Sequence, residues 1–103
     1  MAEEWTSPVD VAQAMLLMKQ RLNRMTGISA ADEYIERRIK AAIKRLNRKG
    51  IALTDSVEDL MLVVDYAVWQ YGNRDKPGAA PDWLQDEIRE RWLSERQVGA
   101  DDP

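Results

Sequence analysis

The chain has 103 residues and a net charge of −3, with 45% hydrophobic and 32% charged residues. This composition is too apolar for a disordered chain and too charged for a membrane span, so it predicts a soluble protein with one modest core. Because the chain contains no Cys and no His, disulfides, thiolate nucleophiles, imidazole acid–base chemistry and the common zinc and haem ligands are excluded.

The N-terminal sequence MAEEWTSP carries acidic residues where a signal peptide carries basic ones. The longest apolar run, LMLVV at residues 60–64, is far shorter than the about 20 residues that cross a bilayer. We therefore expect synthesis and residence in a cytosol, without export and without a membrane partner. We also expect a single domain over residues 1–103, with frayed ends at about 1–6 and 97–103.

A first helix is predicted from about Pro8 to Met25. Ser7 belongs to the residues favoured as N-caps, and Pro8 suits the first turn of a helix. Gly27 is a suitable stop. The apolar positions recur at spacings of four, three and four, which predicts one buried stripe made of Val11, Met15, Met18 and Leu22.

A second helix is predicted between Ser29, as its N-cap, and Gly50, which ends it. Asp32 and Glu33 near its start and Lys49 near its end match the helix dipole. The 3.6-residue period predicts a buried face made of Ile35, Ile39, Ala42, Ile43 and Leu46. Four basic residues share the opposite side, and they are Arg37, Lys40, Lys44 and Arg48.

The segment IALTDS, residues 51–56, predicts a tight connection or a short extended piece. Ser56 and Asp59 resemble a capping box that starts a third helix, which runs from about Val57 to Tyr71. This helix is apolar around most of its circumference, so it is either the central element or is covered on one side by another subunit. Trp69 and Tyr71 near its end are either core aromatics or interface anchors.

The segment GNRDKPGAAP, residues 72–81, is a loop by composition, and Pro81 is predicted to open a fourth helix. Asp82, Asp86 and Glu87 lie near the start of that helix, where acidic residues are favourable. Its apolar stripe is Leu84, Ile88 and Trp92. Trp83 and Leu93 fall off that stripe, and Trp83 is a candidate interface anchor. The predicted fold class is all-α, a small four-helix bundle that allows a short extended segment between helices two and three.

Charge is unevenly distributed along the sequence. Residues 19–49 contain ten Lys or Arg and three Asp or Glu, whereas residues 50–103 contain five and twelve respectively. Three interpretations remain open: a solvated basic surface, a surface for nucleic-acid phosphates, and a surface that docks on the acidic face of another copy. Head-to-tail docking of identical copies gives rings or filaments.

No phosphate-binding loop, nucleophile elbow or calcium-loop spacing is present. The carboxylates of Asp55, Glu58, Asp59 and Asp65 are the remaining candidates for acid–base catalysis. They are more simply interpreted as helix-capping and surface acids. We therefore expect no enzymatic activity, no cofactor and no metal site.

Three segments, ADEYIERRIKAAIKRL, GIALTDSVEDLMLVVDYAVWQYGNRD and PDWLQDEIRERWL, together resemble the head-tail connector proteins of tailed bacteriophages, also called adaptor or head-completion proteins. The resemblance covers residues 8 to 96 and consists of helix order and apolar positions. The connection from Gly50 to Ser56 is shorter than the loop or hairpin that many members of the family have there.

This resemblance implies a virion protein at the head-tail junction, made in the host cytoplasm. Such a protein binds beneath the portal protein as a homo-oligomeric ring, commonly of twelve copies, extends the DNA channel and presents a surface to the stopper or tail-completion protein. The genomic DNA passes close by without specific binding. The resemblance makes the loop of Asn73, Arg74, Asp75 and Lys76 a candidate contact with the portal or stopper. On charge geometry alone, the basic side of the second helix is the expected subunit interface, with part of it possible as a surface that faces the channel. The competing hypothesis is a small helical nucleic-acid-binding regulator.

Overall fold

The structure, a computed structural model, describes residues 8–26, 31–73 and 78–101. Over these residues the chain forms four helices, and they are α1 (Val11–Thr26), α2 (Asp32–Arg48), α3 (Val57–Gly72) and α4 (Asp82–Asp101). No strand occurs in these three ranges. The predicted all-α four-helix bundle is therefore confirmed.

The first helix begins later than predicted. α1 starts at Val11, and Asp10 is its N-cap, because the Asp10 carboxylate accepts the backbone N–H of Gln13 at 3.1 Å. Pro8 precedes the helix, and Ser7 lies outside the described residues. The helix therefore begins at the capping residue next to its apolar stripe, a residue that was not predicted as the cap.

The end of α2 at Gly50 and its acidic first turn, Asp32 and Glu33, were predicted correctly. The N-cap is Ala31, which makes no side-chain capping bond, and the predicted cap Ser29 lies outside the described residues. At the other end, the backbone N–H of Gly50 donates to Asn47 and that of Ile51 donates to Leu46, which is a Schellman motif. Gly50 has φ +95°, a left-handed conformation that other residues rarely adopt.

The core is formed where α1, α2 and α3 pack against one another. All five residues of the face predicted for α2 are buried. The stripe of α1 is rotated from its predicted position: Ala14, Met18 and Leu22 are buried, while Val11 and Met15 are only partly buried. A small residue at position 14 permits a close helix contact that a ranking by hydrophobicity does not anticipate.

The third helix is the central element, as predicted, because α3 contacts each of the other three helices. Six of its apolar or aromatic side chains are buried, and they are Leu62, Val63, Val64, Tyr66, Ala67 and Val68. In the connection before it, Ile51 and Leu53 are buried while Ala52 and Thr54 are exposed, the alternation typical of an extended segment.

The fourth helix packs against α3 through Leu84, which is fully buried, and Ile88, which is partly buried. Its backbone is helical as far as Asp101. Across the described ranges, no helix combines the length and the apolar character that a bilayer span requires.

Candidate functional site

The four basic residues predicted on the second helix do lie on its outward side. Arg37, Lys44 and Arg48 are exposed and Lys40 is partly buried, on the side of α2 opposite its buried face. Lys40 also forms an ion pair with Glu36 at 2.8 Å. We call these four residues the basic strip. Lys40, Lys44 and Arg48 are spaced by four, so they form a row about 12 Å long at a rise of 1.5 Å per residue.

The outward side of α4 carries a matching row of opposite charge. Asp82, Asp86 and Glu90 are exposed and also spaced by four, which gives a second row about 12 Å long. We call these three residues the acidic row. Two exposed apolar side chains flank it: Trp83 is 50% exposed and Leu93 is 41% exposed. The row was missed in the sequence, where Asp82 and Asp86 were interpreted only as partners of the helix dipole, although the spacing of four was visible.

A groove of about 750 Å³ lies between α2, α3 and α4. Four cations line it, and none of the described lining residues is acidic. Its aromatic wall includes Trp69, which makes an edge-to-face contact with Tyr66 at 5.9 Å between ring centroids. The sequence did not predict this site, because its cations lie outside the basic strip and come from different parts of the chain. They are Arg38, Arg45 and Lys49, on the flank and at the end of α2, and Arg89 on α4.

A polar group without a partner lies beside the groove. The side-chain oxygen Oε1 of Gln70, which is a groove-lining residue, is buried and accepts no hydrogen bond within the described residues. A buried acceptor without a donor costs free energy, so a ligand that supplies a donor would recover it.

The predicted contact loop is only partly described. Asn73 is the C-cap of α3, and its side-chain amide donates to the backbone oxygen of Trp69 at 2.9 Å. This side chain also lines the groove. Arg74, Asp75 and Lys76 lie outside the described residues.

The three predicted aromatic anchors do not meet in one site. Trp69 is partly buried in the groove wall, and Trp83 is exposed on the outward side of α4. Tyr71 lies on the seam between α2 and α3, where its ring makes an edge-to-face contact with Tyr34 at 5.7 Å. Of the three, Trp83 has the exposure that an interface anchor needs.

A buried ion pair fastens α4 to the start of α3. Asp59 is 1% exposed, and its Oδ1 accepts Arg91 Nε at 2.6 Å while its Oδ2 accepts Arg91 Nη2 at 3.1 Å. The same Oδ2 accepts the backbone N–H and the hydroxyl of Thr54 at 2.7 and 2.8 Å. Ser56 caps α3 as predicted, by accepting the N–H of Asp59. The predicted capping box is not reciprocal, because the carboxylate of Asp59 turns to Thr54 and Arg91 instead.

These contacts decide the ionisation of Asp59. Burial by itself raises the pKa of this carboxyl, but the hydrogen bonds from Arg91 and Thr54 and the guanidinium charge outweigh it. The pKa of Asp59 therefore lies below its ordinary value. The carboxylate is held in its charged form by four hydrogen bonds, and it neither caps α3 nor lies at the surface, so the interpretation of Asp59 as a capping or surface acid was wrong.

A second cluster of charges joins three helices. Arg21 of α1 forms an ion pair with Asp65 of α3, and Glu87 of α4 lies near enough to Asp65 for the two acids to interact. Partial burial raises the pKa of Glu87, and the neighbouring charge and hydrogen bond of Asp65 raise it further. Two neighbouring carboxyl groups do not ionise together easily, so the pKa of Glu87 lies above its ordinary value.

Neither cluster has the geometry of a metal site, since no three Asp or Glu side chains converge on a point among the described residues. The chain matches no family model, and no curated protein or solved structure is detectably similar to it. Any assignment of function therefore depends on the residues of this chain and on the surfaces that they form.

Proposed function

We propose that this protein is a head-tail connector of a tailed bacteriophage, and that its copies dock head to tail beneath the portal, the basic strip of one copy on the acidic row of the next. The observation that carries the proposal is the pair of outward-facing rows, opposite in charge and equal in spacing, on α2 and α4.

Two rows that both face away from their own core do not pair with each other within one copy. They are also different surfaces, so the contact between copies is heterologous and generates a ring when the rotation closes. Complementary potentials steer such an encounter and fix its register more than they add affinity. The contact is therefore expected to weaken as salt shortens the Debye length.

The exposed apolar side chains on α4 supply the part of the contact that salt does not screen. Trp83 and Leu93 flank the acidic row, and large side chains of this kind carry most of the free energy in many interfaces. A polar row with an aromatic anchor at its edge resembles the usual composition of a protein–protein interface.

In this function the ring extends the DNA channel and offers a docking surface to the stopper or tail-completion protein at the head-tail junction of the virion. The loop from Asn73 to Lys76, at the end of α3, is proposed as the contact with the portal or stopper. The protein breaks no bond, and the net charge of −3 disfavours tight retention of the passing DNA.

Charge-swap complementation tests the docking directly. One variant reverses the basic strip to Glu and the other reverses the acidic row to Lys. Each variant alone presents two surfaces of the same sign, so neither is expected to form a ring on the purified portal. Mixed in equal amounts, they present opposite signs at every contact, so rings of alternating variants are expected to form. Electron microscopy and sedimentation of portal complexes report the outcome.

Reversal of Arg45 and Lys49 to Glu is the matched control. Arg45 lies on α2 and Lys49 is its C-cap, both outside the basic strip, so ring formation should survive. The docking proposal would be rejected if both reversed variants still formed rings alone, or if the mixture failed to restore them.

The nucleic-acid-binding regulator is the second candidate, favoured by the row of cations exposed along α2. Against it, α3 is buried on most sides and has no free face for a DNA groove. Titrating duplex DNA at several salt concentrations separates the two: a steep loss of affinity with salt supports the regulator, and absence of binding at low salt supports the connector.

A further inference from the structure

The groove between α2, α3 and α4 carries positive charge that no acidic residue among its described lining residues neutralises. Arg45, Lys49 and Arg89 make no ion pair with any described residue, and Arg38 bonds only to Tyr34, whose hydroxyl accepts its Nε at 2.9 Å. Four cations that face one open groove, without an acid among its described lining residues, attract an anionic ligand.

The uncharged residues that line the groove indicate which other chemical groups the ligand contains. Tyr66, Trp69, Ile88 and Trp92 form an apolar and aromatic surface that accepts apolar side chains. The Oε1 of Gln70 is buried at the groove wall without a partner among the described residues, so it can accept a hydrogen bond once its side chain turns toward a ligand, and a backbone N–H is the commonest donor in a protein ligand.

The length of the row of cations along the groove indicates that the ligand is a polypeptide segment and not a small molecule. Arg38 and Lys49 are separated by eleven residues of α2, which is about 16 Å, the length of about five residues of extended chain. Arg45 and Lys49 are separated by about 6 Å along the axis, close to the about 7 Å between alternate side chains of a strand. From these features we infer that the groove is a docking site for an extended segment of a partner protein, with acidic side chains at alternate positions and apolar side chains between them.

In this arrangement the acidic side chains face α2, the apolar side chains face Trp69 and Trp92, and a backbone N–H donates to Gln70. A peptide is favoured over a nucleic acid because α4, which forms one wall, also carries the acidic row, and these carboxylates repel a polyanion that extends past the groove.

The test uses the full chain and a fluorescein-labelled peptide with the sequence Glu-Leu-Glu-Leu-Glu-Leu-Glu, whose binding is followed by fluorescence anisotropy at low salt. A peptide with Lys at each Glu position controls for charge sign, and a labelled single-stranded oligothymidylate of twelve nucleotides represents nucleic acid. The acidic peptide is expected to bind, the basic peptide is not, and the oligonucleotide is expected to bind at least about tenfold more weakly.

Two double variants locate the site on the same helix. Arg45→Glu with Lys49→Glu reverses two cations of the groove, and Arg37→Glu with Arg48→Glu reverses two cations of the basic strip. The groove variant is expected to raise the Kd for the acidic peptide by about tenfold or more, since each reversal replaces an attraction by a repulsion. The strip variant is expected to change it less than about twofold.

The variant Gln70→Leu tests the hydrogen-bond acceptor of the groove without changing the charge of the protein. It removes the unpartnered acceptor, so the Kd should rise several-fold while the thermal midpoint stays the same or increases. Absence of peptide binding, equal effects of the two double variants, or tighter binding of the oligonucleotide would each overturn the inference. Failure here is separable from failure of the connector proposal, because the groove variant should still form rings on the portal and the strip variant should not.

Discussion

Replacement of Arg91 by Leu tests the view that a buried ion pair holds α4 in place. Asp59 is 1% exposed, so removal of the guanidinium leaves a carboxylate buried with two of its four hydrogen bonds, those from Thr54 at 2.7 and 2.8 Å. Breaking a buried pair from one side costs about 3 to 5 kcal/mol. The Arg91 side chain is 19% exposed and Thr54 remains as a donor, so the lower figure of about 3 kcal/mol is expected.

Urea unfolding at pH 7 measures this loss. With an m value of about 1.5 kcal/mol/M for a chain of this size, about 3 kcal/mol moves the midpoint by about 2 M. Arg89→Leu is the matched control, since Arg89 is exposed on the same helix without an ion pair among the described residues. That control is expected to change the free energy of unfolding by less than about 0.5 kcal/mol.

The loss of stability caused by Arg91→Leu should depend on pH in a definite direction. The pKa of Asp59 is lowered in the folded protein, so its contribution to stability is fully present above the unfolded pKa of about 3.9 and is lost as the pH falls through the folded pKa. Without Arg91 the folded pKa of Asp59 moves upward. The difference between wild type and variant should therefore shrink as the pH falls from 7 to about 3. A loss below about 1 kcal/mol at pH 7, or a difference independent of pH, would refute the reasoning.

Two further changes have their own controls. Gly50→Ala should lower stability by about 2 kcal/mol in thermal unfolding, since a Cβ at φ +95° would lie 3.0 Å from Trp92 Nε1. Gly72→Ala, a helical position with open space around it, should instead stabilise by up to about 1 kcal/mol, and equal effects would contradict this account. Asp65→Asn should lower the pKa of Glu87, followed by NMR titration of its carboxyl carbon, because the neighbouring negative charge is removed; an unchanged titration would show that Asp65 is not the cause.

The features that depend on local spacing were predictable from the sequence. The buried face of α2 follows from the 3.6-residue period, and the end of that helix follows from Gly50, since only neighbouring residues are involved. Ser56 as the cap of α3 is another local feature. The cap of α1 was not predicted: Asp10, whose residue type is as good an N-cap as the Ser7 that was named, accepts the N–H of Gln13.

The features that depend on distant packing were not predictable. Asp59 and Arg91 are 32 residues apart, and nothing in either local pattern indicates that they pair. The groove cations on the flank of α2 become a site only because α4 lies against α3 at that place. The burial of Ala14 in preference to Met15 likewise depends on how closely the neighbouring helices approach.

The fastening of α4 has a geometric consequence for assembly. Arg96 donates to the backbone oxygen of Gly50 at 3.3 Å, and Arg91 and Glu95 bond to the backbone of Ala52 at 2.9 and 3.0 Å, directly after α2 ends. These bonds fix the angle between the helix with the basic strip and the helix with the acidic row. In the proposed head-to-tail ring this angle, together with the angle at which the basic strip crosses the acidic row, would set the rotation from each copy to the next and with it the number of copies that closes the circle.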